Sequence, residues 1–288
     1  MNVNRDAETV QDAGEAEARD GDAIVPLLSY VSSRVTLTNE EHQWAVAIKN
    51  AIVQTGDFTL TDFWYAQLAI IDKDDTEAAL ERAHKMQHFL QENDIADNLE
   101  EGGFVVTELA KMLPGYLLGW SQTPDGHQTL VVDSSKLDLR KISSHSTGMR
   151  TFFGSMYYLH TALNPDFKAL RQGTVVMLEC EGISWHTHFD LDFIRKYWSG
   201  FGSAYPIHFH QFKLFHTGVF VNMATAVTRE LLPRYLRRKV EYGCVSPLGR
   251  LDCLYAVPDL EASTDRFLAR FKCTLQLRYA NEASFKLM

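Results

Sequence analysis

The sequence predicts an α/β protein in which a small all-helical N-terminal domain precedes a mixed or parallel sheet flanked by helices. Three observations carry this. The first 115 residues show helical periodicity and caps but no strand. From Tyr116 onward, short apolar runs alternate with helical segments, the pattern of βα units. The run Thr174 to Leu178 is nearly all apolar, as in a strand buried on both faces of an α/β sheet.

The elements follow in order. Thr38-Asn39-Glu40-Glu41 reads as a capping box opening a helix with Trp44, Ile48 and Ile52 on one face and Gly56 as its stop. A second helix covers Thr61 to Ile71. A third, from Asp75 to about Gln91, places Ala79, Ala83, Met86 and Leu90 on one stripe. A short fourth helix, near Val106 to Met112, ends at Pro114-Gly115. Tyr116 to Trp120 and Thr129 to Asp133 flank the turn Pro124-Asp125-Gly126 and read as a hairpin. A helix from about Thr147 to Leu163, the strand from Thr174, a polar helix Asp190 to Trp198 and a strand Phe209 to Phe215 complete the α/β pattern. An apolar run at Leu251 to Val257 and a final helix from about Ala262 to Tyr279 close the chain.

Composition narrows the function. A net charge of −9 argues against nucleic acid as the partner, because phosphate binding needs a positive surface. Residues 1–22 hold seven acids against Arg5 and Arg19, so −5 of that charge is local, and the segment reads as a disordered acidic tail. Its acidity fits neither a secretory signal nor a transit peptide. No window approaches the roughly 18 apolar residues of a membrane span. The four cysteines are widely spaced, which suits reduced thiols in the cytosol.

Three segments of the second half resemble the CRAL-TRIO lipid-binding family, which includes tocopherol-, retinaldehyde- and phosphatidylinositol-transfer proteins. Gly173 to Gly182 resembles the family strand ending in Asp-x-x-Gly, with Glu179 where Asp is usual. Tyr205-Pro206 and the strand to Gly218 resemble its Tyr-Pro strand, with His216 and Gly218 in place of the usual Asn and Pro. Leu231 to Gly243 resembles the segment closing the gate helix, one residue shorter than the family norm. Ile207 stands where phosphatidylinositol-binding members often carry an acid, so ligand identity is not inherited. Composition and resemblance together divide the chain into an acidic tail (1–30), a helical domain (31–115), a CRAL-TRIO-like domain (116–250) and a C-terminal segment (251–288) that the resemblance does not reach.

It also implies a site. Phe220, Met223, Ala224, Val227 and Leu231 share one helical face. Periodicity alone makes that a core face; the resemblance makes it a gate over an apolar cavity. Phe152, Phe153, Met156 and Tyr157 on the preceding helix are core residues by default and equally suit a cavity wall, opposite Phe212 and Leu214. Val175 and Met177 of the buried strand are further candidate lipid contacts. Arg234, Arg237, Arg238 and Lys239 form a basic cluster that reads as a solvated helix end or, beside a gate, as a dock for anionic membranes, phosphoinositides among them. The expectation is a cytoplasmic, monomeric carrier, transiently membrane-associated, without catalytic residues, cofactor or metal. It holds a hydrophobic lipid and exchanges it at membranes.

Two rivals remain. The patterns His186-x-His188 and His208-x-His210 could each offer two imidazoles to the metal of an enzyme, with Glu179, Glu181, Asp190 or Asp192 as further ligands. A lipid-sensing scaffold without transfer activity is the other.

Overall fold

A computed structural model describes residues 36–56, 58–122, 126–198, 202–218, 237–242 and 264–287. The N-terminal helices are α1 (Asn39–Thr55), α2 (Asp62–Asp72), α3 (Thr76–Glu92) and α4 (Leu99–Met112). The capping box at Thr38 forms. Glu41 N donates to Thr38 Oγ1 at 3.2 Å, and Thr38 N donates to Glu41 Oε2 at 2.8 Å, satisfying two donors at the helix start. Gly56 ends α1 with φ +70°, a left-handed cap that glycine adopts without steric cost.

Helix α4 starts at Leu99, earlier than its sequence suggests, because Gly102 and Gly103 lower helix propensity there. Asn98 caps it, its Oδ1 accepting from Glu101 N at 2.8 Å. Gly102 has a packing reason. A Cβ at this position would lie 2.6 Å from the Tyr158 ring and 2.8 Å from Leu275 Cδ2, so only glycine lets the three helices meet.

The α/β half contributes β1 (Leu117–Gln122), β2 (Gln128–Asp133), α5 (Leu139–Ser144), α6 (Gly148–Leu163), α7 (Phe167–Gln172), β3 (Thr174–Glu179), α8 (Leu191–Lys196), β4 (Phe209–Phe215), β5 (Val240–Tyr242) and α9 (Thr264–Ser284). The sheet runs β1-β2-β3-β4-β5. The β1–β2 pair is antiparallel, as the hairpin signal requires, and the remaining pairs are parallel. The α/β class and the mixed sheet are therefore as the sequence predicts.

The register sorts the strands into two faces. Leu130, Val176, Phe212 and Val240 lie side by side, as do Val132, Leu178 and Leu214. Leu130, Val132, Val176 and Phe212 join a core cluster that also holds Trp64, Val106, Phe152 and Tyr158 from the helices. Val131, Val175, Met177 and Phe215 form a separate cluster on the opposite face.

Helix α9 ties the halves together. Phe267, Phe271 and Leu275 enter the main cluster beside Trp120. Arg278 is fully buried, its guanidinium 4.0 Å from the Phe63 ring centre, and Asn281 donates to Pro165 O at 2.7 Å. Among the described residues, no helix is long and apolar enough to cross a membrane.

Candidate apolar ligand site

A cavity of about 270 Å³ lies between α6, α8 and the inner face of β2–β4. Its floor is Leu130, Val132, Val176, Leu178 and Phe212. Helix α6 supplies Phe152, Met156 and His160, which recur on one face because 152, 156 and 160 are one helical turn apart. Phe193, Ile194, Tyr197 and Trp198 close the far side. Phe152 sits amid an aromatic cage, its ring centre 5.1 Å from Phe193 and 6.5 Å from both Tyr116 and Tyr197. Trp198 meets Phe212 edge-on at 5.9 Å.

No Asp, Glu, Lys or Arg lines this cavity among the described residues. The polar groups on its wall are Ser134, His160, His188 and the Tyr116 and Tyr197 phenols. Burial pushes the His160 imidazole down to about 3, so it is uncharged at any physiological pH. Burial likewise pushes the Tyr116 and Tyr197 phenols well above their ordinary value. A larger cleft of about 500 Å³ near α1 and α7 is a different environment, since Glu41, Lys73, Arg82 and Arg171 form its walls. An apolar ligand is better served by the smaller, charge-free space.

The structure separates the predicted wall residues. Phe152, Met156 and Phe212 line the cavity. Phe153 turns away to meet Phe89 edge-on at 5.9 Å, and Tyr157 packs between Tyr158 and Tyr205. Leu214 shares the inner face but joins Cys180 in a smaller cluster beyond the cavity. Val175 and Met177 do not line this cavity. Strand alternation turns them to the outer face, and their neighbours Val176 and Leu178 take the cavity positions. The missed aromatic wall carried its own signal: Phe193, Tyr197 and Trp198 fall at i, i+4 and i+5. The charged residues between them masked it.

Phe220, Met223, Val227, Leu231 and Arg234 lie outside the described residues. Of the remaining basic residues, Arg238 is exposed and Arg237 is half-buried. Lys239 turns inward instead. Its Nζ donates to Phe209 O, its own carbonyl accepts from Phe212 N, and burial lowers its pKa. A lysine spent on the sheet edge is a poor membrane contact.

Among the described residues, neither His-x-His pair belongs to a cluster of three or more metal-ligating side chains. Both ring nitrogens of His188 engage backbone: Nδ1 accepts from Ser184 N at 2.9 Å and Nε2 donates to Ser135 O at 2.8 Å. His208 Nδ1 donates to Arg171 O at 3.2 Å, and His210 stacks on His127 at 3.9 Å.

Fold and cavity together define an α/β protein with an apolar pocket against one face of its sheet. No protein-family model matches the chain, and no curated protein matches it. The solved structure of Sfh5 is similar at a TM-score of 0.49 and 12% identity, over 72% of this chain and 82% of that one. Nothing about ligand or activity is carried over from that likeness.

Proposed function

We propose that this chain is a lipid-binding protein that carries a hydrophobic ligand in the cavity between α6, α8 and β2–β4. The observation that supports it is the wall: mostly aliphatic and aromatic residues, no Asp, Glu, Lys or Arg among those described, and the His160 imidazole kept neutral by burial. Such a wall desolvates hydrocarbon at no ionic cost. Each buried methylene contributes about 0.8 kcal/mol toward lifting the ligand from a membrane or from water.

Exchange at a bilayer is the second half of the proposal. The segment that sequence assigns to a gate follows β4, and Arg237 and Arg238 lie at its far end. Each cation near an anionic surface contributes on the order of 1 kcal/mol, so a few of them give reversible contact. Closed in solution and open at the bilayer, the gate would respond by population shift.

The test is native mass spectrometry of the purified chain with lipid extraction, followed by liposome-to-liposome transfer. A stoichiometric hydrophobic ligand is expected. A ligand-free chain that takes up no lipid from vesicles would overturn carriage. Uptake without transfer would leave a lipid sensor.

A further inference from the structure

A second site lies at the carboxyl ends of β3 and β4. Glu179 is the last residue of β3, Glu181 stands two residues on in the turn closed by Gly182, and His216 follows the end of β4. The register sets Glu179 beside Phe215, which delivers His216 to the same edge. One ligand atom from each of the three lies within 4.8 Å of the others.

The groups are arranged before any ion arrives. Glu179 Oε1 accepts from Cys180 N and Glu181 N, both at 2.8 Å, which fixes the carboxylate plane. Oε2 stands 2.8 Å from His216 Nδ1. A Glu–His pair alone would account for those two residues. It does not account for Glu181, whose carboxylate stands by the same pair with no side-chain partner among the described residues. No Lys or Arg among the described residues forms an ion pair with either glutamate. Two carboxylates held this close favour a cation between them.

We infer that Glu179, Glu181 and His216 bind a divalent transition-metal ion of the zinc class, with water completing its shell. One imidazole and two carboxylates suit a borderline cation, whereas magnesium and calcium prefer all-oxygen shells. Bonds of about 2.0–2.2 Å put tetrahedral ligand atoms roughly 3.3–3.5 Å apart. The Glu181 side chain is exposed and free of packing, so it can supply that closure. Cys180 stands apart from the three ligand atoms: its buried Sγ donates to Leu178 O at 3.5 Å and packs against Leu214. The ion would brace the point at which the chain leaves β4. The site shares no residue with the cavity and stands whether or not lipid carriage does.

Equilibrium dialysis of the full-length chain against Zn²⁺ alone, with metal counted by mass spectrometry and a chromophoric chelator as competitor, tests it. One equivalent per chain is expected, at least tenfold weaker in Glu181→Gln and in His216→Gln, unchanged in His186→Ala, and not displaced by excess Mg²⁺. Glu181 is exposed in a turn, so its variant keeps the fold, which circular dichroism verifies. No stoichiometric zinc, or zinc retained equally by Glu181→Gln and His216→Gln, overturns the site.

Discussion

Arg171 and Glu41, 130 positions apart, form a two-pronged ion pair: Arg171 Nε donates to Glu41 Oε1 at 2.8 Å and Nη2 to Oε2. The same guanidinium donates to Thr36 O at 2.8 Å. The entrance of the first helix is thereby pinned to α7 and, through it, to the start of β3.

Breaking that pin destabilises the N-terminal helices first. Arg171→Ala is expected to cost about 1–3 kcal/mol, because a buried carboxylate loses its partner. Burial alone raises the Glu41 pKa, but the bonds from Arg171 and Thr38 outweigh it and hold the carboxyl below its usual 4.5. The pair's contribution is therefore complete above about pH 4.5 and fades as pH falls through the lower folded value. Urea unfolding at pH 7 and pH 3.5 should show the wild-type advantage over Arg171→Ala shrinking at the acid end.

His160 gives a second pH signature, at higher pH. Its folded value near 3 lies below the 6.5 of a free imidazole, so the unfolded chain binds the extra proton between those limits. Stability should fall as pH drops below 6.5, by up to about 1.4 kcal/mol per pH unit from this residue. Between pH 7.5 and 5, His160→Phe should lose about 2 kcal/mol less than wild type. Parallel curves for the two proteins would show that the imidazole is protonated in place.

Adjacent strand positions separate cavity from core. Val176→Phe points into the void and should leave stability within about 1 kcal/mol while reducing ligand uptake at least tenfold. Val175→Phe overpacks the outer face, costing about 1–3 kcal/mol, and should leave uptake intact. The paired readout is thermal unfolding beside fluorescent-lipid binding. Uptake unaffected by Val176→Phe would place the ligand elsewhere.

The buried arginine predicts an asymmetry. Arg278 pairs with Glu282 at 2.5 Å, and its Nε and Nη2 have no hydrogen-bond partner among the described residues. Glu282→Ala strands a charge between Phe63 and Trp64 and should cost about 3–5 kcal/mol. Arg278→Met, which keeps volume and removes the charge, should cost less than Glu282→Ala. Chemical denaturation of the two variants decides the order.

Legibility in the sequence tracked how local the governing physics was. The Thr38 box, the β1–β2 hairpin and the buried β3 run rest on short-range rules, and each could be read directly. The parity of β3 could not. A strand apolar on both faces carries no alternation, so which of Val175, Val176, Met177 and Leu178 meets the cavity depends on partners distant in sequence. Phe152, Met156 and Phe212 were identifiable, but the distinction between Met156 and Tyr157 depends on the angle at which α6 crosses the sheet. The wall at Phe193 and Trp198 was overlooked because Asp190, Asp192, Arg195 and Lys196 make that stretch look like a solvated helix. Helix α9 showed its periodicity but not its docking, which depends on the absent side chain of Gly102 and the burial of Arg278.

Phe267, Phe271 and Leu275 of α9 insert among side chains drawn from Trp64 to Phe212. During synthesis, the helical half and the sheet therefore emerge with a gap at their shared centre, beside Trp120 and Tyr158. Domains that fold as they leave the ribosome complete their cores early. This one stays open until the segment carrying Leu275 has cleared the exit tunnel, with its aromatic interior exposed to water for that interval.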